Sequence, residues 1–131
     1  MSEYSEQQIT EWGQQNEEQR FDLFLGLAVK HKQVWALSDD QGCLIVDSDG
    51  EQLLPVWPLE VFAKAASVEE WQGLEPLAIS LEDWEQKWLP GMENDVIDVA
   101  VFPDLEGSSE VIAAEELAVH LKLQKKKAPI A

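Results

Sequence analysis

Apolar residues recur at helical spacing near both ends of the chain. A wide apolar stripe follows the cap-like sequence Asn16-Glu17-Glu18 and predicts a largely buried helix. The residues of this stripe are Phe21, Phe24, Leu25 and Ala28. The capping-box pattern of Ser5-Glu6-Gln7-Gln8 predicts a shorter helix before it, through about Gly13. A closing helix is predicted over Glu115–Lys126.

Between these helices the apolar residues form short runs separated by turn sequences, a pattern typical of strands. Asp39-Asp40-Gln41-Gly42 and Asp47-Ser48-Asp49-Gly50 are turn sequences, because glycine readily adopts a positive φ. The first three runs therefore predict a β-meander. Pro55 and Pro58 lack a donor for a strand ladder, so we expect the third strand to be short or at an edge. The predicted strands span residues 34–38, 43–47, 52–57, 74–79 and 96–102.

Two further helices are predicted in the middle of the chain. Leu59–Ala66 is helix-like, and Ser80-Leu81-Glu82-Asp83 is a second helix start. Trp84 and Trp88 share one face of the second helix, which Pro90-Gly91 should end. We therefore predict an α+β fold in which N-terminal, middle and C-terminal helices pack on a mainly antiparallel sheet of about five strands.

The length of 131 residues is that of one domain, and 45% of the residues are hydrophobic. A chain of this size can bury a core without disulfides or metals. We expect a single domain over 1–131, with an ordered core at about 5–122 and a basic C-terminal tail at 122–131.

Charge limits the classes of ligand. Acidic residues outnumber Lys and Arg 26 to 9, for a formal net charge of −17. Residues 1–121 hold all 26 acids and only 5 bases, a net of −21. A segment of this charge repels nucleic acid and anionic lipid. Arg20 is its single arginine, so it has few groups that could bind a phosphate ligand. We expect no nucleic-acid binding and no membrane association.

Cysteine usage and the N-terminus bear on the compartment. Cys43 is the only cysteine, so an intrachain disulfide is excluded. The first six residues lack the basic and apolar pattern of a signal peptide, and no apolar run approaches membrane-spanning length. We expect a cytoplasmic protein.

Residues that could carry chemistry do not form a recognisable catalytic or metal-binding pattern. Asp47–Glu51 resembles the start of a calcium loop, but Val56 stands where the bidentate Glu is needed, so a hairpin turn is the better interpretation. Cys43 lies among aspartates that disfavour a thiolate. His31 and His120 form no zinc signature. We predict no catalytic residues, no metal and no cofactor.

Tryptophan and proline provide the more distinctive pattern. Leu54-Pro55-Val56-Trp57-Pro58 places a Trp between two prolines, and Trp35 lies on the first predicted strand. An exposed Trp beside Pro is a suitable anchor for a partner protein. The alternative is that these side chains fill the core, where large aromatic residues dominate burial. The residues of this candidate interaction surface are Trp35, Pro55, Trp57 and Pro58.

Several sequence blocks occur together in a consistent order. They lie at residues 20–24, 34–37, 54–58, 79–81, 87–91 and 99–103. Over about residues 5–122 the chain resembles the bacterial family known as domain of unknown function 2750. This resemblance implies no assigned activity, so it supplies no functional residues. A weaker similarity to SseB-like N-terminal domains implies an α+β layout with helices against a mainly antiparallel sheet, but not a function.

We expect a non-enzymatic protein-binding or regulatory module that meets a protein partner. One alternative is an enzyme whose acid–base residues are Asp or Glu side chains in a cleft, which predicts a concave pocket with at least one carboxylate of raised pKa. The other is an acidic nucleic-acid mimic, which predicts regular rows of carboxylates on one face. Sequence alone leaves the oligomeric state open.

Overall fold

The computed structural model describes residues 4–68, 71–104 and 109–127. Two helices come first, and strands and helices follow in an irregular order. In chain order the elements are α1 (Glu6–Gly13), α2 (Glu17–His31), β1 (Gln33–Asp39), β2 (Gly42–Cys43), β3 (Val46–Ser48), β4 (Glu51–Val56), α3 (Glu60–Ala66), β5 (Glu75–Ser80), α4 (Leu81–Asp83), a π-helical segment (Trp84–Trp88), α5 (Leu89–Asp95), β6 (Ile97–Val101), β7 (Glu110–Ile112) and α6 (Ala114–Lys127).

Capping residues fix the starts of three helices where the sequence predicts them. The Ser5 side chain accepts a hydrogen bond from the backbone N–H of Gln8 at the start of α1. Asn16 and Gln19 form a reciprocal capping box at the start of α2. Ser80 accepts from the backbone N–H of Asp83 at the start of α4. Each cap satisfies a backbone donor that the first helical turn leaves unpaired.

The strands form two sheets rather than one. The first has the order β2-β1-β5 and the second the order β3-β4-β6-β7. Among these pairs only β4 and β6 are parallel. Trp35 and Trp57 join the two sheets through reciprocal backbone hydrogen bonds of 2.9 and 2.8 Å. The predicted α+β class is confirmed, with the correction that the second sheet is mixed.

The predicted single strand at 43–47 is wrong, because two short strands in different sheets take its place. The N–H of Leu44 bonds to the Leu37 carbonyl at 2.8 Å and completes the β1–β2 hairpin before the chain crosses to the second sheet. The β3–β4 hairpin then turns through Asp49 and Gly50, with φ of 52° and 85°. Two positive φ values are those of a type I′ turn, so the turn interpretation of this acidic segment is confirmed and the meander is two hairpins.

The parallel pair β4–β6 forms the centre of the core. Consecutive residues on both strands are buried, namely Leu54, Pro55 and Val56 on β4 and Val99, Ala100 and Val101 on β6. Burial of successive residues means that both faces of these strands are covered. The expectation of a short or edge strand is wrong, because β4 lies between β3 and β6. Pro55 is tolerated because β3 pairs only as far as Leu53, which leaves β4 without a β3 partner at this residue.

The helix predicted to end at Pro90-Gly91 continues to Asp95, so that boundary is wrong. The N–H of Leu89 bonds to the Trp84 carbonyl five residues back, which makes the turn before Pro90 π-helical. A widened turn can accommodate a proline ring that would crowd a regular α-helix. The chain leaves the helix at Val96, which adopts a left-handed φ of 57°.

The last helix packs through Leu117 and Leu121, which are fully buried as the apolar spacing predicts. It runs to Lys127, so residues 122–127 of the predicted basic tail are helical. The remaining tail residues, 128–131, lie outside the described residues. Among the residues that the structure describes, no helix is long and apolar enough to span a membrane.

Candidate functional site

A cleft of about 330 Å³ lies where the parallel strands β4 and β6 end. The chain segments that leave these strands supply its floor, made of Trp57, Phe102 and Pro103. The ends of parallel strands are a common position for binding crevices, because the chain diverges there on both sides.

Two helices form the walls of this cleft. On one side α1 contributes Ile9, Thr10 and Gly13. On the other side α3 contributes Phe62 and two alanines. Small residues on α3 leave space that a longer side chain would fill. The cleft is therefore mainly apolar, with Gln14 and Asp104 as polar groups at its edge.

The floor is held by hydrogen bonds to backbone atoms. Phe102 has a left-handed φ of 52°, which is rare for a residue other than glycine. Its N–H bonds to the Val56 carbonyl at 2.7 Å, and its ring lies 4.6 Å from that of Phe62. The indole N–H of Trp57 donates to the Pro103 carbonyl at 3.2 Å. These bonds fix a strained backbone conformation next to the cleft, a combination found at functional sites.

Arg20 supports the same segment from behind. It is 3% exposed and is the only buried charged residue among those described. Its Nε donates to the Phe102 carbonyl at 3.0 Å, Nη1 donates to the Gln15 carbonyl, and Nη1 lies 3.8 Å from a carboxylate oxygen of Asp104. The planar guanidinium therefore ties the start of α2 to the floor of the cleft.

The four residues of the sequence-predicted interaction surface lie together at the junction of the sheets. Trp57 is 1% exposed, and Pro55 and Pro58 are also buried. Trp35 is half-buried and pairs with Trp57 through the backbone. Of the four, Trp57 lines the cleft. Contact between Trp35 and a partner stays a prediction.

Sequence analysis missed the residues that shape the cleft. Phe62, Phe102 and Pro103 were not singled out as a group, and Arg20 was noted only as the single arginine. The one usable signal was the position of Phe102-Pro103 directly after a buried strand. Its value depends on the parallel pairing of β4 with β6, which the sequence does not specify.

The chemistry available at the cleft is that of binding. Asp104 is the only carboxylate among the described residues of its lining, so an acid–base pair is not assembled there. Burial raises the pKa of the Cys43 thiol above its usual value of 9.0, and this residue lies on β2 away from the cleft. The described part of the chain holds no group of three or more His, Cys, Asp or Glu side chains that could bind a metal ion.

Two other depressions have a different character. One, of about 690 Å³, lies at the β1–β2 turn and is lined by Asp39, Asp40 and Glu75. The other, of about 1020 Å³, lies between α4 and α6, where the Lys125 ammonium pairs with Glu85. Charged side chains dominate the functional groups in both, and neither has an aromatic floor. The cleft at the strand ends is therefore the better candidate site.

Comparison with known proteins agrees with the resemblance seen in the sequence. No curated protein matches the chain significantly. A family described as "Protein of unknown function (DUF2750)" matches residues 21–121. This match contains the strands, α3, and the Trp57 and Phe102 parts of the cleft, and it begins after α1. Because the match covers most of the chain, the protein belongs to the DUF2750 family.

Proposed function

We propose that the protein is a non-enzymatic binding module whose cleft receives an apolar side chain from a positively charged segment of a partner protein. The observation that carries this proposal is the preformed apolar cleft, whose floor residues Trp57 and Phe102 are 1% and 2% exposed and are fixed by hydrogen bonds. A rigid apolar pocket binds with a small ordering cost, and buried aromatic pockets are typical positions of interface hot spots.

The size of the cleft supports a side chain as its occupant. Its volume of about 330 Å³ lies at the lower end of the range for small-molecule pockets, about 300 to 1,000 Å³. One large aliphatic or aromatic side chain fits such a space. The scarcity of polar groups on the floor leaves little to orient a polar metabolite.

Charge supports a cationic partner. The chain carries a net charge of −17, which accelerates encounter with basic surfaces and disfavours acidic ones. Asp104 lies at the edge of the cleft. Basic residues that flank an apolar anchor would meet this carboxylate.

We place this function in the cytoplasm, where a single free thiol such as Cys43 is ordinary. The acid–base alternative is less well supported. The described lining of the cleft offers Asp104 without a second carboxylate, and the carboxylates at the depression by the β1–β2 turn, those of Asp39, Asp40 and Glu75, are all exposed. The described structure gives no specific support for a nucleic-acid mimic.

Photo-crosslinking in cells tests the proposal. A photoreactive phenylalanine analogue at Ala65, in the wall of the cleft, should capture a defined protein. The same analogue at Val61 is the matched control, because Val61 is exposed on α3 and does not line the cleft. We expect the captured segment to combine an apolar residue with Lys or Arg. Equal capture from both positions, or none from Ala65, would contradict the proposal.

A further inference from the structure

Helix α1 covers one side of the cleft but is weakly integrated into the core. It has two turns, and none of its residues is fully buried. Ile9 and Trp12 are its apolar contacts, and both are only partly buried. A two-turn helix is unstable alone, so α1 depends on these contacts and on attachments at its ends.

The N-terminal attachment is made by Tyr4. Its hydroxyl lies 2.8 Å from Nε2 of His31, and its ring meets that of Trp12 edge-on at 4.9 Å. The Lys30 ammonium lies 5.6 Å from the centre of the Tyr4 ring. These contacts join the start of α1 to the end of α2. These contacts lie near the surface, so we expect their loss to loosen this end of the helix.

The family match separates α1 from the remainder of the cleft. The match spans residues 21–121, which include Trp57, Phe62, Phe102 and Pro103 but leave out α1. The aromatic surface therefore belongs to the part of the chain that defines the family. The helix seated on it lies outside that part.

The charge of α1 is poorly suited to its position. Its segment Glu6–Gly13 contains two acids and no base, on a chain with a net charge of −17. A helix with Ile9-like and Trp12-like anchors and with basic residues in place of Glu6 and Glu11 would be attracted by the net negative charge of the chain, which α1 is not.

From these observations we infer that α1 is a detachable cover, and that the natural occupant of the surface beneath it is a cationic amphipathic helix of a partner protein that replaces α1. This inference rests on the proposed function and specifies the partner. Recognition would then follow the helix-in-groove mode, with apolar anchors three or four residues apart. In the absence of partner, α1 would shield Trp57 and Phe102 from other contacts.

Release of α1 is tested first, on the full chain without ligand. Tyr4→Phe removes the hydroxyl that bonds to His31 Nε2 at 2.8 Å and accepts from Lys30 Nζ at 3.4 Å, and should raise amide exchange in α1 about three- to tenfold, the effect of a lost hydrogen bond. Tyr4→Ala also removes the ring contacts and should raise it further. Exchange in β4 and β6 should not change. Gln8→Ala, at an exposed position on α1, is the control and should have little effect. An equal rise of amide exchange in α1 and in strands β4 and β6 would overturn the inference.

Replacement of α1 is tested with synthetic peptides of residues 4–16, measured by fluorescence anisotropy. The native-sequence peptide should bind the Tyr4→Ala protein at least about fivefold more tightly than wild type, because α1 in cis competes at high effective concentration. A peptide with Glu6→Lys and Glu11→Lys should bind about threefold more tightly than the native sequence, since each exposed charge contributes little. An Ile9→Asp peptide is the control and should not bind.

Binding of the Ile9→Asp peptide as tight as that of the native sequence would overturn the inference, as would a preference for the acidic peptide over the lysine peptide. These measurements use no cellular partner. A negative result here, together with crosslinking of a partner from Ala65, would reject the role of α1 and leave the proposed function intact.

Discussion

Replacement of the buried arginine tests how the floor of the cleft is held. In Arg20→Met the side chain keeps much of its length and apolar character but loses all of its donors. The carbonyls of Phe102 and Gln15 then lose their guanidinium partner. Asp104 loses the cation 3.8 Å away. The left-handed backbone at Phe102 would keep the hydrogen bond from its N–H to the Val56 carbonyl on β4. It would lose the hydrogen bond that Arg20 donates from α2.

The expected cost follows from these contacts. A buried carbonyl left unpaired, such as that of Phe102, costs about 1 to 3 kcal/mol, and the partly buried Gln15 carbonyl adds a smaller loss. The pair with Asp104 adds little, since that carboxylate is 24% exposed and the separation is long. We therefore expect Arg20→Met to lower the free energy of unfolding by about 3 to 5 kcal/mol, from a total of about 5 to 15 kcal/mol for a domain. Arg20→Lys should recover part of this loss, because it restores the charge but not the fork of donors.

Guanidinium unfolding followed by tryptophan fluorescence measures this loss. Lys64→Met is the matched control, because it removes the same charge from an exposed side chain and should change stability by less than about 0.5 kcal/mol. A loss below about 1 kcal/mol in Arg20→Met, or an equal loss in the control, would refute the structural role assigned to Arg20.

Three further predictions concern single side chains. Val96 is 80% exposed and has a left-handed φ of 57°, a conformation that Asn adopts more readily than Val. Val96→Asn should therefore raise the free energy of unfolding by about 1 kcal/mol, and an unchanged thermal unfolding midpoint would contradict this. Trp57→Phe should lower the free energy of unfolding by about 1 kcal/mol more than Trp84→Phe. The reason is that the Trp57 indole N–H donates to the Pro103 carbonyl, whereas the equally buried Trp84 indole N–H has no hydrogen-bond partner among the described residues. The pKa of Cys43 is raised by burial, so the unfolded state loses its thiol proton first. The contribution of this thiol to the free energy of unfolding is therefore complete below about pH 9 and declines as the pH rises. Urea midpoints measured between about pH 7 and about pH 10 should decline less steeply in Cys43→Ala than in wild type.

Local signals accounted for most of the secondary structure. The caps at Ser5, Asn16 and Ser80 act within four residues, so their effect is visible in sequence. The Asp49-Gly50 turn is equally local. The strand β7 was missed because its three residues are too few to show an alternating pattern. The helix boundary at Pro90 was misplaced because a π-helical turn depends on packing, which a proline signal does not describe.

The cleft could not be predicted because it depends on contacts between distant parts of the chain. The Arg20 bond to Phe102 spans 82 residues, and the Trp57 bond to Pro103 spans 46. Neither has a pattern along the sequence. Composition marks Arg20 only as a rare residue. Parallel pairing of β4 with β6, which brings the floor residues together, is likewise invisible in the hydrophobic pattern.

The most direct test of the binding role is the affinity of the crosslinked partner for three forms of the purified protein. Ala65→Trp should fill the cleft, whereas Val61→Trp adds the same side chain to the same helix outside it. We expect wild type and Val61→Trp to bind with equal affinity, and Ala65→Trp to bind at least about tenfold more weakly, the loss of about 1.4 kcal/mol. Unchanged affinity in a folded Ala65→Trp protein would show that the partner binds elsewhere and would contradict the account.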